Sequence, residues 1–148
     1  MKIEVLSFNE LTLNKLYEIL RLRSEVFVVE QTCAYQDVDG KDQKALHVLG
    51  WHGPTLVGYA RCFAPGDYFD EAAIGRVVIK ENFRKNNHGY HLMQAAIDAT
   101  TTHFKVDSIR ISAQTYLIDF YQNLGFHVIG ESYLEDDIPH IGMIRPKA

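Results

Sequence analysis

The sequence has few cysteines and no long hydrophobic run, and each scarcity excludes a class of protein. Its 148 residues contain two cysteines, Cys33 and Cys62, with no C-x-x-C pair, so we expect no disulfide framework. Reduced thiols are typical of the cytoplasm. No apolar stretch approaches the roughly 18 residues that span a membrane, and the first residues lack the apolar core of a signal peptide. We therefore expect a soluble, cytoplasmic protein without a membrane partner.

A basic excess is also missing. The formal net charge is -4, whereas proteins that bind nucleic acids usually carry a strong positive charge or a long basic stripe. We therefore predict no nucleic-acid partner. Seven histidines are present, and His88 and His91 are three positions apart on a predicted helix. No third ligand has a fixed spacing to them and no H-E-x-x-H motif occurs, so we predict no metal.

The composition is ordinary for a globular fold, with 47% hydrophobic and 23% charged residues, and the length fits one domain over residues 1–148. Hydrophobic periodicity and turn residues predict the order β-α-β-β-β-α-β-α-β-β. Because helices alternate with strands and several neighbouring strands form hairpins, the fold class is α/β (α+β), with a mixed sheet flanked by helices. The predicted strands are 2–8, 45–52, 56–64, 72–79, 108–113, 128–133 and 140–145, and the predicted helices are 12–29, 88–105 and 117–123.

The segment 72–100 combines an apolar strand, a polar turn and an amphipathic helix. The turn, residues 84–89, reads RKNNHG. A helix that begins after such a turn offers free backbone N–H groups to an anion, and Arg84 and Lys85 add positive charge. The turn has neither the Gly-Lys-Ser/Thr of a Walker loop nor the three glycines of a dinucleotide fingerprint. On its own it is equally consistent with an ordinary surface connection.

Three further patterns give the turn a context. The spacing Arg84-x-x-Asn87-x-Gly89 resembles Arg/Gln-x-x-Gly-x-Gly/Ala, the pyrophosphate loop of the GNAT superfamily of acyl-CoA-dependent N-acetyltransferases. Asn87 replaces a glycine there, and asparagine enters the left-handed region at low cost. Residues 120–126, FYQNLGF, resemble the superfamily element Leu/Phe-Tyr-x-x-x-Gly-Phe. Residues 21–41 and the tail 133–143, YLEDDIPHIGM, resemble the ElaA-type branch.

This resemblance implies a GNAT fold, in which a mostly antiparallel sheet has two central parallel strands that splay apart around acyl-CoA. It implies acetyl-CoA as the acetyl donor, without a metal, and direct attack of a primary amine within a ternary complex. The pantetheine arm would bind the backbone of Val77, Val78 and Ile79. The phosphates would bind the backbone and charges of the turn, namely Arg84, Lys85, Asn86, Asn87, His88, Gly89 and Tyr90.

Tyr121 occupies the position of the tyrosine that protonates the leaving thiolate in this superfamily, and a phenol is protonated at neutral pH. Many relatives have Asn where this chain has Gln114, which leaves that contact open. The proton acceptor for the amine is less defined, and a water chain could replace it. The acidic and imidazole groups that the resemblance brings to the acceptor mouth are Glu30, Asp37, His47, Glu135 and His140.

Several alternatives remain at this point. Carboxylates in two loops, 30–39 and 135–137, favour a cationic acceptor, although acidic loops also occur simply as solvated surface. The acceptor is a small-molecule or peptide amine of unidentified structure. Because Asn87 and Gln114 depart from the superfamily pattern, a catalytically silent acyl-CoA-binding sensor is the alternative to an enzyme. Exposed edge strands would also allow a homodimer.

Overall fold

The computed structural model describes residues 1–146, and a seven-stranded sheet lies at its centre. The strand order is β1-β2-β3-β4-β5-β7-β6, and neighbours are antiparallel except for the parallel pair β4–β5. The predicted mixed, mostly antiparallel sheet is therefore confirmed. The strands are Lys2–Ser7 (β1), Leu46–His52 (β2), Thr55–Phe63 (β3), Ala72–Ile79 (β4), Ile109–Gln114 (β5), His127–Glu135 (β6) and Ile138–Arg145 (β7).

Three α-helices interrupt the strands in the predicted order: Leu13–Arg23 (α1), His88–Phe104 (α2) and Ile118–Gln122 (α3). Thr12 caps α1, because its hydroxyl accepts a hydrogen bond from the Lys15 N–H at 3.1 Å. The helix predicted over 12–29 is confirmed in extent, but its last third is not an α-helix. After Arg23 the chain continues as a π-helix over Ser24–Glu30, a segment that itself contains three β-branched valines.

The hairpin between β6 and β7 is tighter than the sequence predicted. Its turn consists of Asp136 and Asp137, both in the left-handed region with φ of 51° and 63°, as a two-residue hairpin requires. The connection over residues 134–139 that the predicted strands imply is therefore too long, since Pro139 lies within β7. Pairing of β7 with β5 ends at His140 and Gln114, so the missing N–H of Pro139 removes no hydrogen bond to β5.

The two parallel strands separate soon after they meet. Within residues 1–146, β4 and β5 pair at Ala72 with Ile109 and at Ala73 with Arg110, and no further along β4. Just beyond, Arg76 has a φ of 49°, where the register of β4 against β3 shifts by a bulge. The remainder of β4, from Gly75 to Ile79, keeps its pairing with β3 but on its other side faces an opening instead of β5.

Both faces of the sheet are covered by apolar cores. On one face, Ile109, Ile111 and Ala113 of β5 pack in one cluster with α2 and with Tyr121 of α3. Alternate β5 residues, including Ser112 and Gln114, therefore point to the other face, where α1 packs on β2, β3 and β4. The opening between β4 and β5 consequently connects the α2–α3 side of the sheet with the α1 side. In the described chain, no helix combines the length and apolar character that crossing a membrane requires.

Candidate active site

A cavity of ≈ 450 Å³ occupies the opening between β4 and β5. Its walls combine both strands, the end of the π-helix, α3 and the β6–β7 turn. The predicted pantetheine-binding residues of β4 lie on one wall, and residues of β5 lie on the other. The strand residues that line it include Val77, Val78, Ile79, Ile111, Ser112 and Gln114.

The turn before α2 has the conformation that an anion site needs. Asn86 and Asn87 both adopt positive φ, 63° and 61°, which confirms that Asn87 takes the left-handed geometry of the glycine it replaces. The helix α2 begins at the next residue, its first N–H groups have no partner within the helix, and its second residue, Gly89, lines one end of the cavity. A Cβ on Gly89 would lie 3.4 Å from the Phe120 ring.

Arg84 lines the cavity but has protein partners. Its Nε donates to the Ile79 carbonyl at 2.9 Å, and its terminal nitrogens donate to the two Glu30 carboxylate oxygens at 2.5 and 2.7 Å. These hydrogen bonds lower the pKa of Glu30. Arg84 and Glu30 therefore neutralise each other in this structure, and their assignments to the phosphates and to the acceptor stay predictions. Lys85, Asn86, Asn87, His88 and Tyr90 do not contribute to the described cavity wall.

Three arginines and three aspartates form an ion cluster beside the cavity, and we call it the arginine–aspartate cluster. Arg23 binds Asp37 and Asp42, each at 2.8 Å. The other members of the cluster are Arg61, Arg76 and Asp39, with Arg61 bound to Asp39 and Asp42 and Arg76 bound to Asp37. Arg23 and Arg61 are buried.

The cluster removes one predicted acceptor residue. Asp37 is buried and does not reach the described cavity wall, because two arginines hold its carboxylate. Asp39 and Asp42 are similarly paired: burial raises their pKa, but hydrogen bonds from arginines lower it further, so the net shift is downward. The first of the two acidic loops therefore does not present free negative charge to an acceptor. The pairing also fixes Arg76, and with it the β4 bulge, to the segment after the π-helix.

His47 is likewise misplaced by the prediction. It lies on β2, which is buried on both faces, and its ring has no solvent exposure. Its nitrogens contact the Tyr59 hydroxyl at 2.5 Å and the Asp42 carbonyl at 2.9 Å, and burial lowers its pKa. Cys33, in contrast, lines the cavity.

Glu135 and His140 do line the cavity, at the end formed by β5, β6, β7 and the segment after the π-helix. His140 Nε2 lies 3.3 Å from Glu135 Oε2. Tyr133, which the sequence did not single out, stacks on the His140 ring with 6.3 Å between centroids and shares a short hydrogen bond with Ser112. Alternation along β5 and β6 is the signal that could have predicted this shared face.

Tyr121 lines the cavity from the α3 side. Its ring packs edge-on against Phe120 and Phe126, with centroids 5.0 and 5.9 Å away. Burial raises the pKa of its phenol, so the hydroxyl remains a proton donor at neutral pH. Tyr116, which is 72% exposed, lies at the rim of the same cavity, and the sequence patterns did not single it out.

Across residues 1–146, no group of three or more His, Cys, Asp or Glu side chains is placed to hold a metal.

Comparisons with known proteins agree with this architecture. A family model described as "Acetyltransferase (GNAT) domain" matches residues 11–145. Protein ElaA of Escherichia coli is 43% identical over 142 residues, which cover 95% of this chain and 93% of ElaA. Its crystal structure superposes with a TM-score of 0.91, at 41% identity, covering 97% of this chain and 98% of that one.

A second crystal structure, an acyl-CoA N-acyltransferase from Pseudomonas aeruginosa, has a TM-score of 0.91 and 40% identity over 98% of this chain and 99% of that one. An aminoglycoside 6′-N-acetyltransferase complexed with coenzyme A shares the fold alone, with a TM-score of 0.74 and 16% identity over 99% of this chain and 97% of that one. The resemblance to the ElaA-type branch is thus confirmed. From the family match over most of its length and from these relatives, the chain belongs to the GNAT acetyltransferase domain family.

Proposed function

We propose that the protein transfers an acetyl group from acetyl-CoA to a primary amine. The observation that carries the proposal is the separation of β4 from β5 beyond Ala73, which opens a cavity that reaches both faces of the sheet. One face supplies a helix N-terminus for an anionic cofactor, and the other supplies a polar pocket for an acceptor. An acyl-CoA N-acyltransferase with 40% identity supports acyl transfer.

The donor would lie along β4. Its pyrophosphate would accept hydrogen bonds from backbone N–H groups of Lys85–Tyr90, where the α2 dipole favours negative charge. Its pantetheine arm would pair with the backbone of Val77–Ile79, as an added strand does in a sheet. The Lys85 ammonium would attract the phosphates electrostatically, and added salt would screen this attraction. Arg84 would act chiefly by holding the end of β4 and the π-helix in position.

The transfer itself needs a proton donor and a polarised carbonyl. As the amine nitrogen attacks, the C–N bond forms, the C–S bond breaks and negative charge develops on the thioester oxygen. Backbone N–H groups of β4 that have no partner on β5 are suited to stabilise this oxygen. The Tyr121 hydroxyl would donate its proton to the sulfur as the thiolate leaves. Because burial disfavours tyrosinate at this position, the protonated phenol would be the resting form of Tyr121.

Two measurements test the proposal. Isothermal calorimetry should show that acetyl-CoA binds the free protein, and thiol release from acetyl-CoA should depend on an added primary amine across a panel of aliphatic, aromatic and peptide amines. Binding without thiol release for any amine would favour the silent acyl-CoA sensor instead. Absence of binding would remove both functions. A homodimer and a cytoplasmic location stay predictions.

A further inference from the structure

The hydrogen bonds of His140 determine which of its ring nitrogens carries a proton. Nδ1 lies 2.7 Å from the carbonyl oxygen of Ile138. A carbonyl oxygen can only accept a hydrogen bond, so Nδ1 must donate and carry the proton. In the neutral imidazole, Nε2 then has a lone pair, and it faces the Glu135 carboxylate at 3.3 Å. Two hydrogen-bond acceptors therefore face each other without a proton between them.

Such a pair is satisfied in only two ways. Either one extra proton joins Nε2 and the carboxylate as an imidazolium–carboxylate ion pair, or an external donor binds both acceptors. A primary ammonium group has three N–H donors and a positive charge. Since both residues line the cavity and His140 is buried, that donor would come from a molecule held inside the site.

We propose that Glu135 and His140 bind the acceptor as a primary ammonium ion and take its first proton. This inference rests on the proposed acetyl transfer and assigns the proton acceptor of that reaction. The ammonium would donate its proton to His140 Nε2, and the imidazolium formed is then paired with Glu135. Glu135, whose side chain is 48% exposed, provides the exit of that proton to water.

The proton count closes over the whole reaction. The ammonium ion and acetyl-CoA yield the acetylated amine, the free thiol and one proton. The first proton leaves through His140 and Glu135 before the neutral nitrogen attacks the thioester carbon. The second leaves the nitrogen after the C–N bond forms, while Tyr121 protonates the sulfur and is reprotonated from water.

Neighbouring groups hold the His140–Glu135 pair in place and do not neutralise the negative charge of Glu135. The Tyr133 ring covers one face of His140 and is fixed by its hydrogen bond to Ser112. The β6–β7 turn is joined to the segment after the π-helix by the Cys33 thiol, which donates to the Asp136 carbonyl at 3.4 Å. The other titratable or charged groups at this end are Cys33, Tyr35, Arg76, Tyr133 and Asp136, and Arg76 is neutralised by Asp37.

The other residues that line this end of the cavity indicate which substituent the amine carries. Tyr35, Phe63, Tyr68 and Phe69 line the cavity beyond the His140–Glu135 pair, and Tyr68 stacks on Phe63 with 5.3 Å between centroids. Aromatic walls bind apolar and ring-bearing groups. The acceptor class is therefore a protonated primary amine with an aromatic or apolar substituent, for which phenethylamine is a simple probe.

Two substitutions and one control separate chemistry from folding. His140→Asn keeps a side-chain N–H near the Nδ1 position for the Ile138 carbonyl but removes the Nε2 lone pair. Glu135→Gln removes the charge at constant size. Glu131→Gln is the control, because Glu131 is exposed on the same strand and is not on the described cavity wall. With acetyl-CoA and phenethylamine, His140→Asn should lower kcat/KM by about 10²–10⁴-fold.

The same variants carry readouts that a structural role would not move. His140→Asn should lose the acidic limb of the kcat/KM profile, while its calorimetric Kd for acetyl-CoA and its Tm stay at wild-type values. Glu135→Gln should raise KM for phenethylamine more than it lowers kcat. Glu131→Gln should match the wild type in each respect. Wild-type kinetics and an intact acidic limb in His140→Asn would overturn the inference while leaving acetyl transfer standing.

A binding measurement keeps the inference testable if no turnover is seen. In wild-type protein with isotope-labelled histidine, phenethylammonium should shift the His140 ring nitrogen signals by NMR, and Glu135→Gln should need a higher amine concentration for the same shift. Signals that do not move at saturating amine would overturn the inference. A shift without any thiol release would retain the ammonium site and contradict the proposed acetyl transfer alone.

Discussion

Arg84 and Glu30 form a two-pronged ion pair, with nitrogen–oxygen distances of 2.5 and 2.7 Å, across 54 positions of the chain. The pair joins the beginning of the cofactor turn to the end of the π-helix. The third donor of Arg84 holds the Ile79 carbonyl at the end of β4. Arg84, the arginine predicted to bind phosphate, is therefore already paired with a carboxylate.

Glu30→Gln should tighten acetyl-CoA binding. The amide oxygen can still accept a hydrogen bond from Arg84, but the negative charge beside the anionic cofactor is removed. A change of about 0.2–1 kcal/mol is typical of one partly exposed charge, so calorimetry should show a Kd lower by about 1.5- to 5-fold. The gain should shrink at high salt.

Glu25→Gln is the matched control for that experiment. Glu25 lies on the same π-helix and pairs with Lys80 at 3.2 Å, but it is not on the described cavity wall, so its loss should leave the Kd unchanged. Weaker binding by Glu30→Gln would show instead that the Glu30 charge is needed to hold Arg84 in place.

Asn87 should tolerate glycine and reject valine. Its φ of 61° suits glycine, whereas the left-handed region costs a β-branched residue about 1–2 kcal/mol. Asn87→Val should therefore weaken acetyl-CoA binding by about 5- to 30-fold or lower Tm by the equivalent free energy, and Asn87→Gly should do neither. Asn82→Val is the control, since Asn82 has no positive φ. Equal effects at both positions would refute the conformational explanation.

Asp42→Asn should destabilise the fold strongly. Asp42 is 5% exposed and binds two buried arginines, Arg23 and Arg61, at 2.8 and 2.9 Å. Removing its charge leaves uncompensated positive charge in the interior, which typically costs about 3–5 kcal/mol. Denaturant unfolding measures this loss. Glu18→Gln, which breaks the exposed pair with Arg21, should cost less than about 1 kcal/mol, and similar losses for the two variants would contradict the buried-cluster account.

The arginine–aspartate cluster should make the free energy of unfolding depend on pH in the acidic range. Hydrogen bonds from Arg23 and Arg61 outweigh the effect of burial, so the pKa of Asp42 in the folded protein lies below its ordinary value of 3.8. Its contribution is complete above that value and is lost as the pH falls through the lower, folded pKa. Unfolding free energies measured below the ordinary Asp value should fall more steeply for the wild type than for Asp42→Asn. Parallel curves would exclude Asp42 as a source of the acid sensitivity.

Tyr121→Phe should lower kcat and little else. The variant keeps the ring between Phe120 and Phe126 and removes only the hydroxyl, so acetyl-CoA affinity and Tm should hold. Loss of a proton donor typically costs about 10²–10⁴-fold in rate, measured as thiol release with a primary amine.

Tyr116→Phe is the control for the Tyr121 variant, because Tyr116 lies at the rim of the same cavity. It should leave kcat intact. If kcat fell in Tyr116→Phe but not in Tyr121→Phe, Tyr116 would be the proton donor. A lower Tm with unchanged kcat would make Tyr121 a structural aromatic.

Local patterns in the sequence predicted the order of all ten strands and α-helices and the left-handed Asn87. They did not predict the partners of charged residues. Arg23 meets Asp42 over 19 positions and Arg84 meets Glu30 over 54, and no local spacing encodes such contacts. Glu30 and Asp37, predicted as acceptor residues, are for this reason both paired with arginines that their local sequence does not indicate.

His47 and the β6–β7 turn were predicted incorrectly for different reasons. His47 stands between Leu46 and Val48 on a strand buried on both faces, so alternation gives no indication of its side. In the turn, two consecutive aspartates adopt positive φ, a geometry more typical of Asn-Gly or Asp-Gly pairs. The tighter turn is what places Glu135 beside His140.

A crystal structure of the protein with coenzyme A tests the central claim most directly. The account predicts the pyrophosphate on backbone N–H groups of residues 85–90, the pantetheine amides paired with β4 at residues 77–79, and the sulfur within hydrogen-bond distance of the Tyr121 hydroxyl. Coenzyme A bound outside the opening between β4 and β5, or a sulfur that lies away from Tyr121, would contradict it.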